Sequence, residues 1–125
     1  MKKNILLLFI SLIVLGFTSC NKEEGEEVIV LVKYKTLPNK NIDALASMER
    51  LIENVEKEDH FVQIKLHVDK NDNSNIMLYE VWNDEDYYKN EHMETEHLKQ
   101  FKTESQAFLA GPPEISYWKE HSVYE

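Results

Sequence analysis

The stretch from Val62 to Trp82 limits the choice of fold more than any other part of the chain. Val62, Ile64, Leu66 and Val68 alternate with Gln63, Lys65, His67 and Asp69, the two-residue period of a strand with one face in a core and the other towards water. Lys70-Asn71-Asp72-Asn73-Ser74-Asn75 follows as a polar turn, and Ile76-Met77-Leu78-Tyr79-Glu80-Val81-Trp82 returns as a second strand. The pair forms an antiparallel hairpin, and a hairpin is stable only when other elements cover its apolar face.

The flanking segments supply that cover. Val28 to Leu37 is rich in β-branched and aromatic residues and reads as a strand, apolar on both faces at its start. Pro38-Asn39 ends it, and Asn41 is placed to cap a helix with Ile42, Leu45, Met48, Ile52 and Val55 inward. Glu49, Arg50, Glu53 and Glu56 fall on that helix's wet side. After the hairpin, Asn83-Asp84-Glu85-Asp86 sets a cap and acidic residues at a helix start, and the helix runs through Tyr87, Tyr88 and His92. Another helix begins near Thr95 with Leu98, Phe101, Ser105, Phe108 and Leu109 inward, and Gly111-Pro112-Pro113 stops it. A last strand runs from Glu114 through Ile115, Tyr117 and Trp118.

The order is β-α-β-β-α-α-β, one α+β domain with a four-stranded antiparallel sheet and its helices on one face. The other face is then open. Depending on register it carries Phe61, Glu80 or Tyr79, and Trp118 or Tyr117, a set too apolar to stay wet. Two copies closing face to face would cover it.

Ahead of this domain stands an export signal. Lys2 and Lys3 precede an apolar run from Ile5 to Phe17, shorter than the roughly 20 residues that span a hydrocarbon core. Phe17-Thr18-Ser19-Cys20 resembles a lipobox, and Cys20 is the single cysteine of the chain. The expected organisation is a signal peptide at 1–19, a lipidated Cys20 and charged tether at 20–27, the folded domain at 28–121 and a tail at 122–125. The expected location is the cell envelope, on the periplasmic face or the cell surface, with the membrane held through the lipid alone. Removing residues 1–19 takes away Lys2 and Lys3 and no acid, so the formal charge of −9 falls by two to −11. An acidic domain of this kind has no basic stripe for phosphates, which excludes nucleic acid as a partner.

Tyr79-Glu80-Val81-Trp82-Asn83-Asp84-Glu85, followed by His92, Thr95 and His97 and then by Gly111-Pro112-Pro113-Glu114-Ile115, resembles the antibiotic biosynthesis monooxygenase family. The likeness covers roughly Val28 to His121. It implies a ferredoxin-like α+β fold, a homodimer whose sheets form an α/β barrel, and a pocket between sheet and helices. It also implies a reaction of the family's kind, oxygenation of a small quinol-like or phenolic molecule without flavin, metal or haem. The chain departs from the family before the second strand, where Glu58-Asp59-His60-Phe61 stands in place of a Glu-Pro-Gly-Cys type segment. The haem-degrading branch does not fit, since strand one has no asparagine.

Cofactor-free oxygenation needs a proton removed, water excluded and the resulting anion held beside oxygen. A histidine suits the proton, and His92 is the candidate base. Glu80 is the candidate orienting carboxylate, because a carboxylate on an apolar face needs a partner. Trp82, Tyr88 and His97 are the candidate substrate contacts, although Trp82 and Tyr88 read equally well as core. His92 and His97 lie about 140° apart on one helix, so they share a ligand only if the helix breaks between them. His92 and Glu96 share a helical face, yet neither a His-Glu-x-x-His motif nor a cysteine set accompanies them, so no metal site is expected. Two other functions use the same pocket: a small-molecule-binding module without turnover, and an isomerase of a small oxygenated metabolite.

Overall fold

The structure is a computed structural model that describes residues 25–125. The signal segment, Cys20 and the first part of the tether lie outside the described residues. Strand β1 (Val28–Lys35) is followed by helix α1 (Asn41–Val55), then by the hairpin of β2 (Phe61–Val68) and β3 (Asn75–Trp82). Helix α2 (Glu85–Lys89), a 3-10 turn at His92–Glu94, helix α3 (Glu96–Glu104) and a second 3-10 turn at Ser105–Ala107 lead to β4 (Glu114–Trp118). The strands form one antiparallel sheet in the order β2-β3-β1-β4. This is the ferredoxin-like α+β architecture, in the element order read from the sequence. Among the described residues no helix is long and apolar enough to cross a membrane.

Register decides which residues meet. On the inner face, under the helices, Val28, Val30, Val32 and Tyr34 of β1 are buried beside Ile76, Leu78, Glu80 and Trp82 of β3. Ala44, Met48, Leu51 and Val55 of α1 and Phe101 of α3 close the core from above. Pairing of Val30 with Tyr117 and of Ile29 with Trp118 puts Tyr117 on the inner face and Trp118 on the outer one. The outer face therefore carries Ile29, Leu31, Met77, Tyr79, Val81 and Trp118, and the ambiguity left by the sequence is resolved: Glu80, Tyr117 and Phe61 point inward.

Phe61 points inward because of a register shift between Phe61 and Gln63, opposite Trp82 and Val81. Such an extra residue breaks strict alternation. Val62, which the alternation places in the core with Ile64 and Leu66, is 49% exposed as a result.

Three expectations from the helices need correction. Lys40, not Asn41, is the cap position of α1, and no side chain bonds there. The helix is turned accordingly, with Ala44, Ser47 and Leu51 buried and Ile42 75% exposed. Helix α3 stops at Glu104 rather than at Gly111. The intervening chain instead lies along the end of β1: Thr36 bridges Leu109, Leu37 donates its N–H to Phe108 and Ala110 donates to Lys35. Helix α2 ends at Lys89, so His92 stands beyond it.

Candidate active site

The end of β3 delivers two inward residues, Glu80 and Trp82, and the chain turns at once into α2. Asp84 caps that helix by accepting from the Tyr87 N–H at 3.0 Å, as its sequence position predicts. Tyr88 then faces the core and His92 follows in the 3-10 turn. Thr95 is extended (φ −67°, ψ 146°) and its hydroxyl donates to the His92 carbonyl at 2.8 Å, closing the turn before α3 begins at Glu96. The helix does break between the two histidines, which frees them from the 140° constraint.

Both reach one carboxylate. His92 Nδ1 lies 3.0 Å from each oxygen of Glu58, and His97 Nε2 lies 2.8 Å from Glu58 Oε2. The Tyr87 hydroxyl donates to Glu58 Oε1 at 3.1 Å. The Tyr87 phenol is pushed up to about 12, by burial first and then by the charge of Glu58, so it stays a donor. The Glu58 and His92 side chains are almost wholly out of water, and that of His97 is 23% exposed. Glu58 sits in the loop before β2, in the segment where the chain departs from the family it resembles.

A carboxylate only accepts, so the His92 nitrogen facing it carries the proton, and in neutral imidazole the lone pair is then at Nε2. Burial holds the His92 pKa below its usual value, against the pull of Glu58 in the other direction. The ring is fixed on its faces too, stacked on Tyr88 at 4.9 Å and tilted against Trp82 at 4.7 Å.

His92 and Glu80 both line a cavity of about 110 Å³ between the sheet and the helices. Its walls are otherwise mostly apolar, among them Val32, Leu51, Val55, Leu78, Met93, Leu98 and Phe101, with Tyr34, Tyr88, Lys102 and Ser105 as further polar groups. Glu80 is 5% exposed, and Trp82 Nε1 donates to its Oε2 at 2.9 Å. Burial raises the Glu80 carboxyl from 4.5 to about 7, even though the Trp82 hydrogen bond opposes this. Burial also holds both cavity tyrosines protonated far above the ordinary phenol value. A wider, open hollow of about 540 Å³ lies beside Lys33, His67 and Asn75, and none of the predicted site residues lines it.

Of the predicted residues, His92, Glu80 and Tyr88 thus share one cavity. Trp82 is fully buried and stands behind the wall, acting on Glu80 rather than lining the space. His97 reaches Glu58 and does not line the cavity. The residue missed from the sequence is Glu58, which joins the two histidines.

Residues 27–104, well over half of the chain, match the family model for antibiotic biosynthesis monooxygenase. No curated protein matches the sequence. Among solved structures, PA3566 from Pseudomonas aeruginosa superposes with a TM-score of 0.71 at 20% identity, covering 79% of this chain and 98% of its own. A conserved protein from Methanosarcina mazei gives 0.69 at 20% identity, with 78% and 95% covered. SnoaB from Streptomyces nogalater, a cofactor-independent oxygenase, gives 0.70 at 13% identity, with 79% and 97% covered. At such identities the structural likeness speaks for the fold, and the family match speaks for the lineage: the chain belongs to the antibiotic biosynthesis monooxygenase family.

Proposed function

We infer that the protein is a cofactor-independent monooxygenase acting on a small, single-ring quinol or phenol, with His92 as the base. The observation that carries this is the fixing of His92 Nδ1 by Glu58 in the wall of a largely apolar cavity, which leaves Nε2 as the proton acceptor. The cavity is smaller than the roughly 150 Å³ that takes up benzene in an engineered core, so even one ring enters only as the walls give way, and a fused system does not fit. Glu80, held by Trp82 and close to half protonated near pH 7, both donates to and accepts from a ring hydroxyl.

In the net reaction His92 takes the hydroxyl proton of the phenol, and the electron-rich anion reduces dioxygen. One oxygen atom enters the ring, the other leaves as water, and a hydroquinone becomes a hydroxyquinone with no external reductant. Two copies close on their outer sheet faces, covering Leu31, Tyr79 and Trp118, and Cys20 carries lipid that holds the dimer to an envelope membrane.

The test is an oxygen-electrode screen of hydroquinones and phenols with the purified protein and its His92→Ala variant. Uptake by the first and none by the second is expected. Binding of the same compounds without oxygen consumption would make the protein a binding module, and turnover without oxygen uptake would make it an isomerase.

A further inference from the structure

Glu58, His92 and His97 offer one carboxylate oxygen and two imidazole nitrogens, all within 4.8 Å of one another. They come from two separate places, the loop before β2 and the broken helix around Thr95, and they converge where little water reaches. We propose that this triad is a binding site for a borderline divalent transition-metal ion such as Zn²⁺, and that the ion switches the enzyme off.

Chemistry and geometry both support the ion. Bonds of about 2.0–2.2 Å to nitrogen and carboxylate oxygen put neighbouring ligands of a tetrahedral ion roughly 3.3 Å apart. The two carboxylate–imidazole separations are 3.0 and 2.8 Å, so these two edges need open by only a few tenths of an ångström, while the two imidazole nitrogens, within 4.8 Å of each other, turn towards the ion to close the third. The donor set of two nitrogens and one oxygen suits zinc and its neighbours, and not calcium or magnesium, which take oxygen ligands. The Tyr87 hydroxyl on Glu58 Oε1 supplies the outer hydrogen bond that orients a ligating carboxylate. The half-buried edge of His97 gives the ion a way in and a water its fourth position.

The consequence for His92 follows from its ring. An ion on Nδ1 displaces the proton that Glu58 accepts there, and neutral imidazole then carries its proton on Nε2. That nitrogen donates and no longer accepts, so the metal-bound form has lost His92 as its base. Inhibition thus rests on the reading of His92 as the base, whereas binding does not.

The experiment titrates ZnCl₂, and CoCl₂ for its visible absorption, into the full chain in detergent, with any Cys20 thiol that bears no lipid alkylated so that it cannot compete. One equivalent is expected with Kd below about 100 µM, accompanied by the spectrum of low-coordinate Co²⁺. His97→Ala and Glu58→Gln, each shown by circular dichroism to keep its fold, are expected to weaken uptake about tenfold or more. Weaker or non-saturable uptake by the wild type, or a smaller change in folded His97→Ala, overturns the site. Where a quinol is turned over, one equivalent of Zn²⁺ is expected to stop oxygen uptake and a chelator to restore it; full activity of the zinc-loaded protein overturns the inhibition. Zinc uptake by a protein that oxidises no quinol would leave the site standing and sink the oxygenase reading alone.

Discussion

The indole N–H of Trp82 donates to a carboxyl oxygen of Glu80 at 2.9 Å, two residues back on the same inward row of β3, with both side chains out of water. That bond keeps an acidic group in a core that otherwise repels its charge. Burial of that carboxyl, which the bond only partly offsets, makes the stability of the fold depend on pH in a particular direction.

Glu80 has a folded value of about 7 against 4.5 in the open chain, so the folded state binds its proton more tightly. The contribution is fully present below pH 4.5 and is lost as pH rises through 7. At about 1.4 kcal/mol per unit, the loss is about 3 kcal/mol by pH 8. Glu80→Gln keeps an acceptor for Trp82 and removes the titration. Urea midpoints from pH 4 to 9 are expected to fall less for the variant than for the wild type, and parallel curves would refute the assignment.

Trp82→Phe removes the donor and part of the ring volume. The volume loss destabilises equally at all pH values. The lost hydrogen bond adds about 1–3 kcal/mol where Glu80 is ionised and less where it is protonated. Destabilisation is therefore expected to be greater at pH 8 than at pH 5, and the carbonyl band of the protonated carboxyl in infrared spectra is expected to persist to higher pH.

Thr36 is buried with its hydroxyl unpartnered, beside the bridge to Leu109. Thr36→Val replaces that oxygen with a methyl group of similar size. A gain of about 1 kcal/mol is expected, the desolvation of a hydroxyl that gets nothing back. Thermal or chemical unfolding reads it directly, and a loss of stability would show that the hydroxyl has a bound water or partner.

Glu58→Ala leaves His92 without the acceptor that fixes its tautomer. With a quinol that is turned over, kcat is expected to fall about 100-fold or more while KM changes little. An unchanged kcat would show that His92 needs no orientation from Glu58.

Trp118 projects from the outer face of the sheet and is 56% exposed. Trp118→Glu places a charge where the two sheets are expected to meet. Sedimentation is expected to show dimer for the wild type and monomer for the variant, with the monomer's secondary structure intact.

Much of this was legible in the residues. The hairpin, the element order, the Asp84 cap and the joint burial of Glu80 and His92 all follow from periodicity and from carboxylates that need partners. What was hidden is long-range or local in backbone. Glu58 stands in a loop without period, and its partners are 34 and 39 residues further on, a distance no spacing rule spans. The register shift at Phe61 and the early end of α3 depend on what the neighbouring strands offer, and alternation or an apolar stripe carries no trace of it.

The extended residue at Thr95 also carries a consequence for how this region tolerates change. Because the histidines converge through a kink rather than along a regular helix, the number of residues from 92 to 97 matters as much as their identity. Deleting Glu94 would remove no group that touches Glu58, yet it would swing one imidazole away by about a quarter turn or more. Length variation here would therefore be as damaging as loss of a histidine.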